Sequence, residues 1–247
     1  MHNYNYKQSG EKNNSIYRRV QFFAIILCVC LCIMSVGMMI GRLAGRQDGK
    51  LRFEKREYYA VCLKVFDDLN SAKAYALSVK SRNGAGYIAD DRGYRVLAAV
   101  YADRADCESV IKKLNASGQP ATLLRVELKS TAIASSELSQ KDFDIAMASF
   151  FDAQSRLYSL SIELDTFKTD SAKAAAELLK LQSLITPDRL GQDLVSIQLK
   201  AALVGLRSAL LEIAHSGAQG YTLSAEIKYL QIKLLYDINA LLEEIKE

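Results

Sequence analysis

The chain has 247 residues and a net charge of +4, and it contains two histidines and five cysteines. This length accommodates one or two folded domains beside a membrane segment. His2 and His215 are too few to form the multi-ligand site of a catalytic zinc enzyme. Five cysteines, three of them inside one apolar run, exclude a disulfide framework.

The positive charge is concentrated at the N-terminal end. Residues 1–56 carry ten Lys/Arg against three Asp/Glu, whereas residues 130–247 carry eleven against sixteen. A nucleic-acid-binding protein normally places its basic residues on the folded domain. Basic residues around a membrane span instead favour contact with anionic lipid headgroups of the bilayer. We therefore expect a lipid bilayer as a partner and no nucleic acid.

One apolar segment predicts an uncleaved membrane anchor. Residues 20–41 carry no charge, and about 20 such residues span a bilayer core. The segment is longer than the apolar core of a cleaved signal peptide and lacks its small-residue cleavage site. It divides the N-terminus into a tail (1–19), a transmembrane helix (20–41) and a basic juxtamembrane linker (42–56). Basic residues flank both ends, so charge alone does not determine the orientation.

Glycines recur near the end of this span. Gly37 and Gly41 lie four residues apart, and small residues at this spacing let two membrane helices approach closely. This predicts a helix–helix contact in the membrane and a possible homodimer. Ordinary glycine enrichment in membrane helices is the alternative.

The middle of the chain alternates between strand and helix patterns. Residues 59–66, 86–89, 94–101 and 121–128 read as strands, and 68–79 and 103–115 as helices. Asp90-Asp-Arg-Gly93 reads as a hairpin turn. The order βαββαβ predicts an α+β, ferredoxin-like or RNP-like domain over residues 57–129. Its four-stranded antiparallel sheet carries both helices on one face.

The two halves of this domain repeat each other at an offset of 35 residues. In the first half, Val61 and Leu63 precede an aromatic residue and then Asp68; Val96, Ala98, Tyr101 and Asp103 repeat this order. In each half a strand ends in an aromatic residue, and the aspartate opens a helix. The repetition strengthens the prediction of a duplicated βαβ unit.

These residues resemble the SPOR (sporulation-related repeat) domain. The resemblance covers residues 57–129 and is carried by Tyr59 to Asp68, by Tyr94-Arg95-Val96, and by Tyr101-Ala-Asp103-Arg104. It implies an extracytoplasmic domain that binds septal peptidoglycan glycan strands in cell division or sporulation. It also implies a single N-terminal span with the N-terminus in the cytoplasm of a bacterial cell.

The resemblance and the strand alternation together predict a binding face. Val61, Leu63, Val96 and Ala98 are expected to face the helices. The glycan-binding residues on the open face are expected to be Cys62, Lys64, Tyr87, Arg95 and Leu97. Cys62 stands where the family favours Gln, and Lys64 and Ala99 where it favours Gly. The alternative is therefore that the module keeps the fold and has lost glycan binding. Cys62 and Cys107 are expected on opposite faces of the sheet.

Residues 136–247 carry helical patterns without strand signals. Phe143 to Phe167 form an apolar stripe, and further helices are predicted from Ser171, from Pro187 to His215 and from Thr222. They predict an all-α helical bundle. Its stripes either pack against one another, or the stripe over 222–246 pairs with a partner or a second copy.

No catalytic motif is present in the sequence. H-E-x-x-H, G-x-S-x-G and P-loop patterns are all absent. We expect no enzyme, no cofactor, no metal site and no catalytic residues. The first functional hypothesis is a membrane-anchored SPOR-like glycan-binding protein. The second is a membrane-tethered scaffold that recruits a division or sporulation protein through its helical bundle.

Overall fold

Strands and helices alternate and then give way to helices alone in residues 50–246, the part of the chain that this computed structural model describes. In chain order the elements are β1 (Lys50–Phe53), β2 (Arg56–Phe66), α1 (Leu69–Ser81), β3 (Tyr87–Asp90), β4 (Tyr94–Tyr101), α2 (Arg104–Ala116), β5 (Thr122–Leu128), β6 (Thr131–Ala134), α3 (Gln140–Asp165), α4 (Ser171–Leu184), α5 (Leu194–His215) and α6 (Tyr221–Glu244). The predicted tail, span and Gly37–Gly41 contact lie outside the described residues.

The main sheet has four strands in the order β3-β4-β2-β5, and every neighbouring pair is antiparallel. The predicted βαββαβ order and four-stranded antiparallel sheet are therefore confirmed. Arg92 and Gly93 both have positive φ between β3 and β4. That conformation suits a tight hairpin, as the Asp-Asp-Arg-Gly sequence predicts.

The paired aspartates cap the two helices of this unit. The Asp68 side chain accepts a hydrogen bond from the Ser71 N–H at the start of α1. The Asp103 side chain accepts from the N–H groups of Ala105 and Asp106 at the start of α2. Each carboxylate satisfies a backbone donor that has no partner inside its helix. The helix starts predicted from the sequence repeat are confirmed.

A second, two-stranded sheet is formed by β1 and β6. The strands are antiparallel, with Leu51 opposite Ile133. In β1 the apolar side chains of Leu51 and Phe53 are buried, and the basic ones of Lys50 and Arg52, which alternate with them, are exposed. The prediction of a linker through residue 56 is therefore wrong from Lys50 onward. Alternation of only four residues is too short to identify a strand without its partner.

The four C-terminal helices differ from the prediction in two places. Phe167 was predicted to belong to the apolar stripe of α3, but it lies beyond the helix end, has a φ of 56° and is mostly exposed. Pro187 starts only a short 3₁₀ turn, and α5 begins later with Asp193 as its N-cap. The starts of α4 after Asp170 and of α6 near Thr222 agree with the sequence to within a residue.

One hydrophobic core joins the sheet to these helices. Residues 50–247 group into a single compact unit, and its largest buried cluster includes β-strand residues such as Leu97 and helix residues such as Phe150 and Leu235. Helix α6 packs along α3 and also contacts β3, β4 and β5, while α4 packs along α5. The sheet is consequently covered by α1 and α2 on one face and by C-terminal helices on the other.

Candidate functional site: a covered sheet face and a polar cleft

The sheet face predicted to bind glycans is not open. Cys62 is 2% exposed and Leu97 is fully buried, and both belong to the core shared with the C-terminal helices. The ring of Tyr87 lies against Tyr236 and Tyr229 of α6, at centroid distances of 5.1 and 5.4 Å. The expectation of an open face is wrong because the apolar side of α6 finds its partner there instead of within a separate bundle.

Lys64 is displaced from the predicted face by an irregularity in β2. Cys62 pairs with Leu97 but Lys64 pairs with Val96, so the register shifts between them. A bulge of this kind breaks the alternation from which faces are predicted. The Lys64 ammonium lies 4.9 Å from the ring centroid of Phe66 and 5.9 Å from that of Tyr75 in α1. It is exposed on the α1 side of the sheet.

Arg95 is directed toward the turn beside it. Its Nε donates a hydrogen bond of 3.0 Å to the backbone carbonyl of Asp91. Of the five predicted glycan-binding residues, the structure brings Cys62, Tyr87 and Leu97 together beneath α6. Arg95 lies within reach of the Cys62 thiol and of Tyr236. Lys64 instead lies on the α1 side of the sheet, so the five residues do not form one accessible site.

The two cysteines of the described residues occupy opposite faces, as the alternation predicts. Cys62 lies in the core under the C-terminal helices, and Cys107 packs with Val61 and Ala121 on the other face. Burial raises the pKa of both thiols. The uncharged thiol is poorly reactive, so both behave as small apolar core residues.

A polar cleft that the sequence did not reveal lies where the βαββαβ unit meets α3 and α6. It has a volume of about 260 Å³ and is partly open to solvent. Its polar lining includes Asn83 after α1, Asp165 at the end of α3, and Lys228 and Gln231 of α6. Its apolar lining includes Leu63, Ala98, Val110 and Leu114.

Asp165 is the centre of the hydrogen-bond network beside this cleft. Its carboxylate accepts from Lys228 Nζ at 2.6 Å, from Asn83 Nδ2 at 2.8 Å and from Ser224 Oγ at 2.6 Å. Lys228 Nζ also donates to the backbone carbonyl of Asn83 at 2.8 Å. The network therefore ties the loop after α1 to both α3 and α6.

The Lys228 ammonium group is largely shielded from solvent. Burial lowers the pKa of the Lys228 ammonium from its ordinary value of 10.5, and the hydrogen bond and charge of Asp165 act in the opposite direction. A buried ammonium is tolerated only with such a partner. The pair therefore depends on both residues being present.

Two residues that line the cleft each have a buried polar atom with no hydrogen-bond partner among the described residues. These atoms are Nε2 of Gln231, a residue that is 1% exposed, and Oδ1 of Asn83. Tyr101 and Tyr158 line the same cleft, with ring centroids 5.8 Å apart in an edge-on arrangement. Burial raises the pKa of both phenols, so they are neutral at physiological pH.

One sequence signal marks the α6 side of this cleft, although it does not reveal the cleft itself. Ser224, Lys228 and Gln231 follow one another at spacings of four and three residues, so they share a stripe of α6. Polar residues on a stripe that is otherwise buried are unusual, and all three are buried here. The partners Asn83 and Asp165 are far away in sequence, and no local pattern connects them to α6.

An exposed apolar stripe runs along α5. Leu194, Ile197, Val204 and Leu211 are each between 41% and 69% exposed, although α5 buries its opposite side against the core. Among residues 50–246, α5 is also the one helix long and apolar enough by length and composition to cross a membrane. The exposed stripe thus lies on α5. The apolar face of α6, for which the sequence left open both internal packing and pairing with a partner, is buried.

The described residues contain no group of three or more His, Cys, Asp or Glu side chains placed to hold a metal ion. No protein-family model, no curated protein and no solved structure matches this chain. The sheet face, the cleft and the α5 stripe are the features of the described residues that bear on function.

Proposed function

We propose that the protein is a non-catalytic, membrane-tethered scaffold that self-associates through α5. The observation that carries the proposal is the exposed apolar stripe of α5, formed by Leu194, Ile197, Val204 and Leu211. Exposed apolar surface of this extent on one helix typically marks an interaction site. The predicted N-terminal span would hold the scaffold at the membrane, with its folded part outside the cytoplasm.

The sheet domain enters this proposal as a SPOR-like module that has lost glycan binding. The βαββαβ order and the sheet order β3-β4-β2-β5 support the resemblance at the level of fold. The burial of Cys62 and Leu97 and the stacking of Tyr87 on α6 support the loss of the ligand face. A glycan strand would have to displace α6 from the core to reach these residues.

The spacing along α5 favours a second helix as the occupant of the stripe. Leu194, Ala201 and Ser208 alternate with Ile197, Val204 and Leu211 at the three- and four-residue steps of a heptad repeat. All six are exposed. The pattern corresponds to the a and d positions of a coiled-coil seam, which buries its residues only when another helix pairs with it.

Charge favours a second copy of this chain, with the two α5 helices parallel. On this heptad, Lys200 and Arg207 occupy g positions and Glu212 an e position. Parallel pairing puts Arg207 of one copy beside Glu212 of the other, whereas antiparallel pairing brings Lys200 and Arg207 together. Charges at e and g set orientation, so the parallel pair is favoured. It also suits two chains anchored by N-terminal spans in one membrane.

Analytical ultracentrifugation of the full chain in detergent tests this pairing. Val204→Glu should weaken dimerisation about tenfold or more, equivalent to ~1.4 kcal/mol. Arg207→Glu should also weaken it, and the exchange R207E/E212R should restore it. Leu77→Glu, at an equally exposed apolar position on α1, is the matched control and should have no effect.

Three outcomes would contradict the proposal. The wild-type chain could sediment as a monomer, or V204E could leave its dimer unchanged, as expected if only the predicted span associates. Stronger dimerisation of the R207E variant than of the wild type would indicate antiparallel pairing. Comparison among variants is informative because the N-terminal segment is the same in all of them.

Glycan binding is the competing proposal and has its own test. The full chain should not co-sediment with purified sacculi, either before or after amidase treatment that removes stem peptides. Enrichment on the treated sacculi that is lost in Lys64→Ala or Arg95→Ala would support septal glycan recognition and a role in cell division or sporulation.

A further inference from the structure

The polar cleft has the attributes of a built binding site rather than of a packing defect. Its volume of about 260 Å³ lies just below the usual range for small-molecule sites, so it accommodates one small ligand. Ser224 and Gln231 are almost completely buried, and Lys228 is 8% exposed. Burying three polar side chains in a core costs folding free energy unless each of them forms hydrogen bonds.

The two atoms without hydrogen-bond partners indicate which polar groups a ligand would have to supply. Nε2 of Gln231 is a donor that lacks an acceptor, and Oδ1 of Asn83 is an acceptor that lacks a donor. In folded proteins the large majority of buried polar groups are paired. A ligand with one acceptor and one donor would form a hydrogen bond with each of the two atoms.

Asn83 is held in position before any ligand arrives. Its φ of 68° is left-handed, its Nδ2 donates to Asp165, and its carbonyl accepts from Lys228. Because Asp165 needs a donor, the side-chain amide is oriented with Oδ1 on the other side. A fixed acceptor of this kind reduces the entropy lost on binding.

The charges around the cleft already have partners. Lys228 is paired with Asp165, and the Arg82 guanidinium donates to the carbonyl and hydroxyl of Ser78. An ionised ligand would have to compete with these contacts. The apolar lining from Leu63, Ala98 and Leu114 instead suits a neutral group with a hydrocarbon part.

We propose that this cleft binds a small neutral secondary amide with an apolar substituent. The amide carbonyl accepts from Gln231 Nε2 and the amide N–H donates to Asn83 Oδ1. The substituent lies against the apolar wall near Tyr101 and Tyr158. This site requires neither pairing of α5 nor access to the sheet face, so it is independent of the proposed scaffold function.

The probe is N-acetyl-L-leucinamide, a neutral molecule with an amide and a branched apolar side chain. Titration into the isotopically labelled full chain should shift the side-chain NH₂ resonances of Gln231 and Asn83. The analogue methylated on the acetamide nitrogen lacks the N–H donor and should bind about tenfold more weakly. Gln231→Leu should weaken binding of the probe by a similar factor, while the exposed-site control Gln192→Leu should not.

Equal shifts with the probe and its methylated analogue would overturn the proposal, as would no shift at all, which would indicate that water alone satisfies both atoms. Ile162→Trp tests the same cleft if Q231L fails to fold, because Ile162 lines it from a partly exposed position. Tryptophan there should fill the cleft and abolish binding. Undiminished binding to I162W would place the probe elsewhere.

Discussion

Tyr87 of β3 stacks on Tyr236 of α6 with ring centroids 5.1 Å apart and an interplanar angle of 29°. The two residues are 149 positions apart in sequence, and their contact closes the sheet face that the SPOR resemblance assigns to a ligand. Burial raises the pKa of Tyr236 to about 12, so its phenol is uncharged where it meets the sheet. The C-terminal helix is therefore part of the core of the sheet domain.

Cysteine accessibility measures how firmly α6 covers this face. In a full chain in which Cys28, Cys30 and Cys32 are replaced by Ala, Cys62 should react slowly with a thiol reagent because it is buried. Tyr236→Ala should accelerate Cys62 labelling about tenfold by favouring local opening. Cys107, buried on the opposite face, should react at an unchanged rate.

Tyr221→Ala is the matched control, because Tyr221 begins the same helix and contacts only Phe167 among aromatic residues of the described part. Equal acceleration of both cysteines in Y236A would show that the whole unit unfolds together. That result would contradict separate opening of the α6 face.

Removal of either member of the Lys228–Asp165 pair should cost stability, but unequally. Asp165→Asn leaves a buried ammonium without its carboxylate and should lower the free energy of unfolding by about 3 kcal/mol. Lys228→Met leaves a carboxylate that is more exposed and still accepts from Asn83 and Ser224. It should cost about half as much. Urea denaturation monitored by circular dichroism gives both values.

Lys233→Met provides the comparison for the previous pair. Lys233 also lies on α6 and pairs with Asp237, but both members of that ion pair are well exposed. A surface pair of this type contributes at most ~0.5 kcal/mol. A K228M effect as small as that of K233M would show that burial of the ammonium is unimportant.

Asp193 should give the protein an acid-sensitive contribution to stability. Burial acts to raise its pKa, but hydrogen bonds from Ser135, from Ser196 and from the Glu137 N–H outweigh burial and lower it to about 2. A carboxylate with a lowered pKa stabilises the fold above its unfolded value of 3.8. That contribution should be lost as the pH falls from about 4 to about 2.

Asp193→Asn should therefore flatten the pH dependence of unfolding in this window, since asparagine still caps α5 without a charge. Ser135→Ala should shift the loss of stability to higher pH. Ser183→Ala removes a hydroxyl that bonds only within α4 and is the control. Identical acid denaturation curves for the wild type and D193N would contradict this role.

Two glycines with positive φ should differ in their tolerance of alanine. A Cβ at Gly86 would lie 2.4 Å from the carbonyl oxygen of Ala76, whereas a Cβ at Gly118 would meet nothing within 4 Å. Gly118→Ala should cost only the strain of the left-handed conformation, about 1 kcal/mol. Gly86→Ala should cost clearly more because backbone must move. Equal losses in chemical denaturation would contradict the close approach of α1 and the β3 segment.

Local patterns in the sequence were sufficient for the elements of the βαββαβ unit. Asp68 and Asp103 cap helices because a carboxylate satisfies free N–H groups wherever a helix starts. Val61 and Val96 face the helices because alternate residues of a strand share a face. These effects act over a few residues, so the sequence repeat reveals them directly.

The same local reasoning placed Lys64 on the wrong face. A bulge between Cys62 and Lys64 depends on how β2 pairs with β4, and pairing is not encoded in the alternation of β2 alone. The cleft was inaccessible to sequence reasoning for a similar reason. Asn83, Asp165 and Lys228 are separated by more than sixty positions from one another and meet only through packing.

The sequence by itself determined the order of strands and helices in the βαββαβ unit, the caps at Asp68 and Asp103 and most of the C-terminal helices, because each follows from periodicity and local hydrogen bonding. Only the tertiary structure decided which apolar surfaces cover one another. The stripe of α6 packs against the sheet face and α3. That choice closed the predicted glycan face, left the stripe of α5 exposed and created the cleft around Gln231.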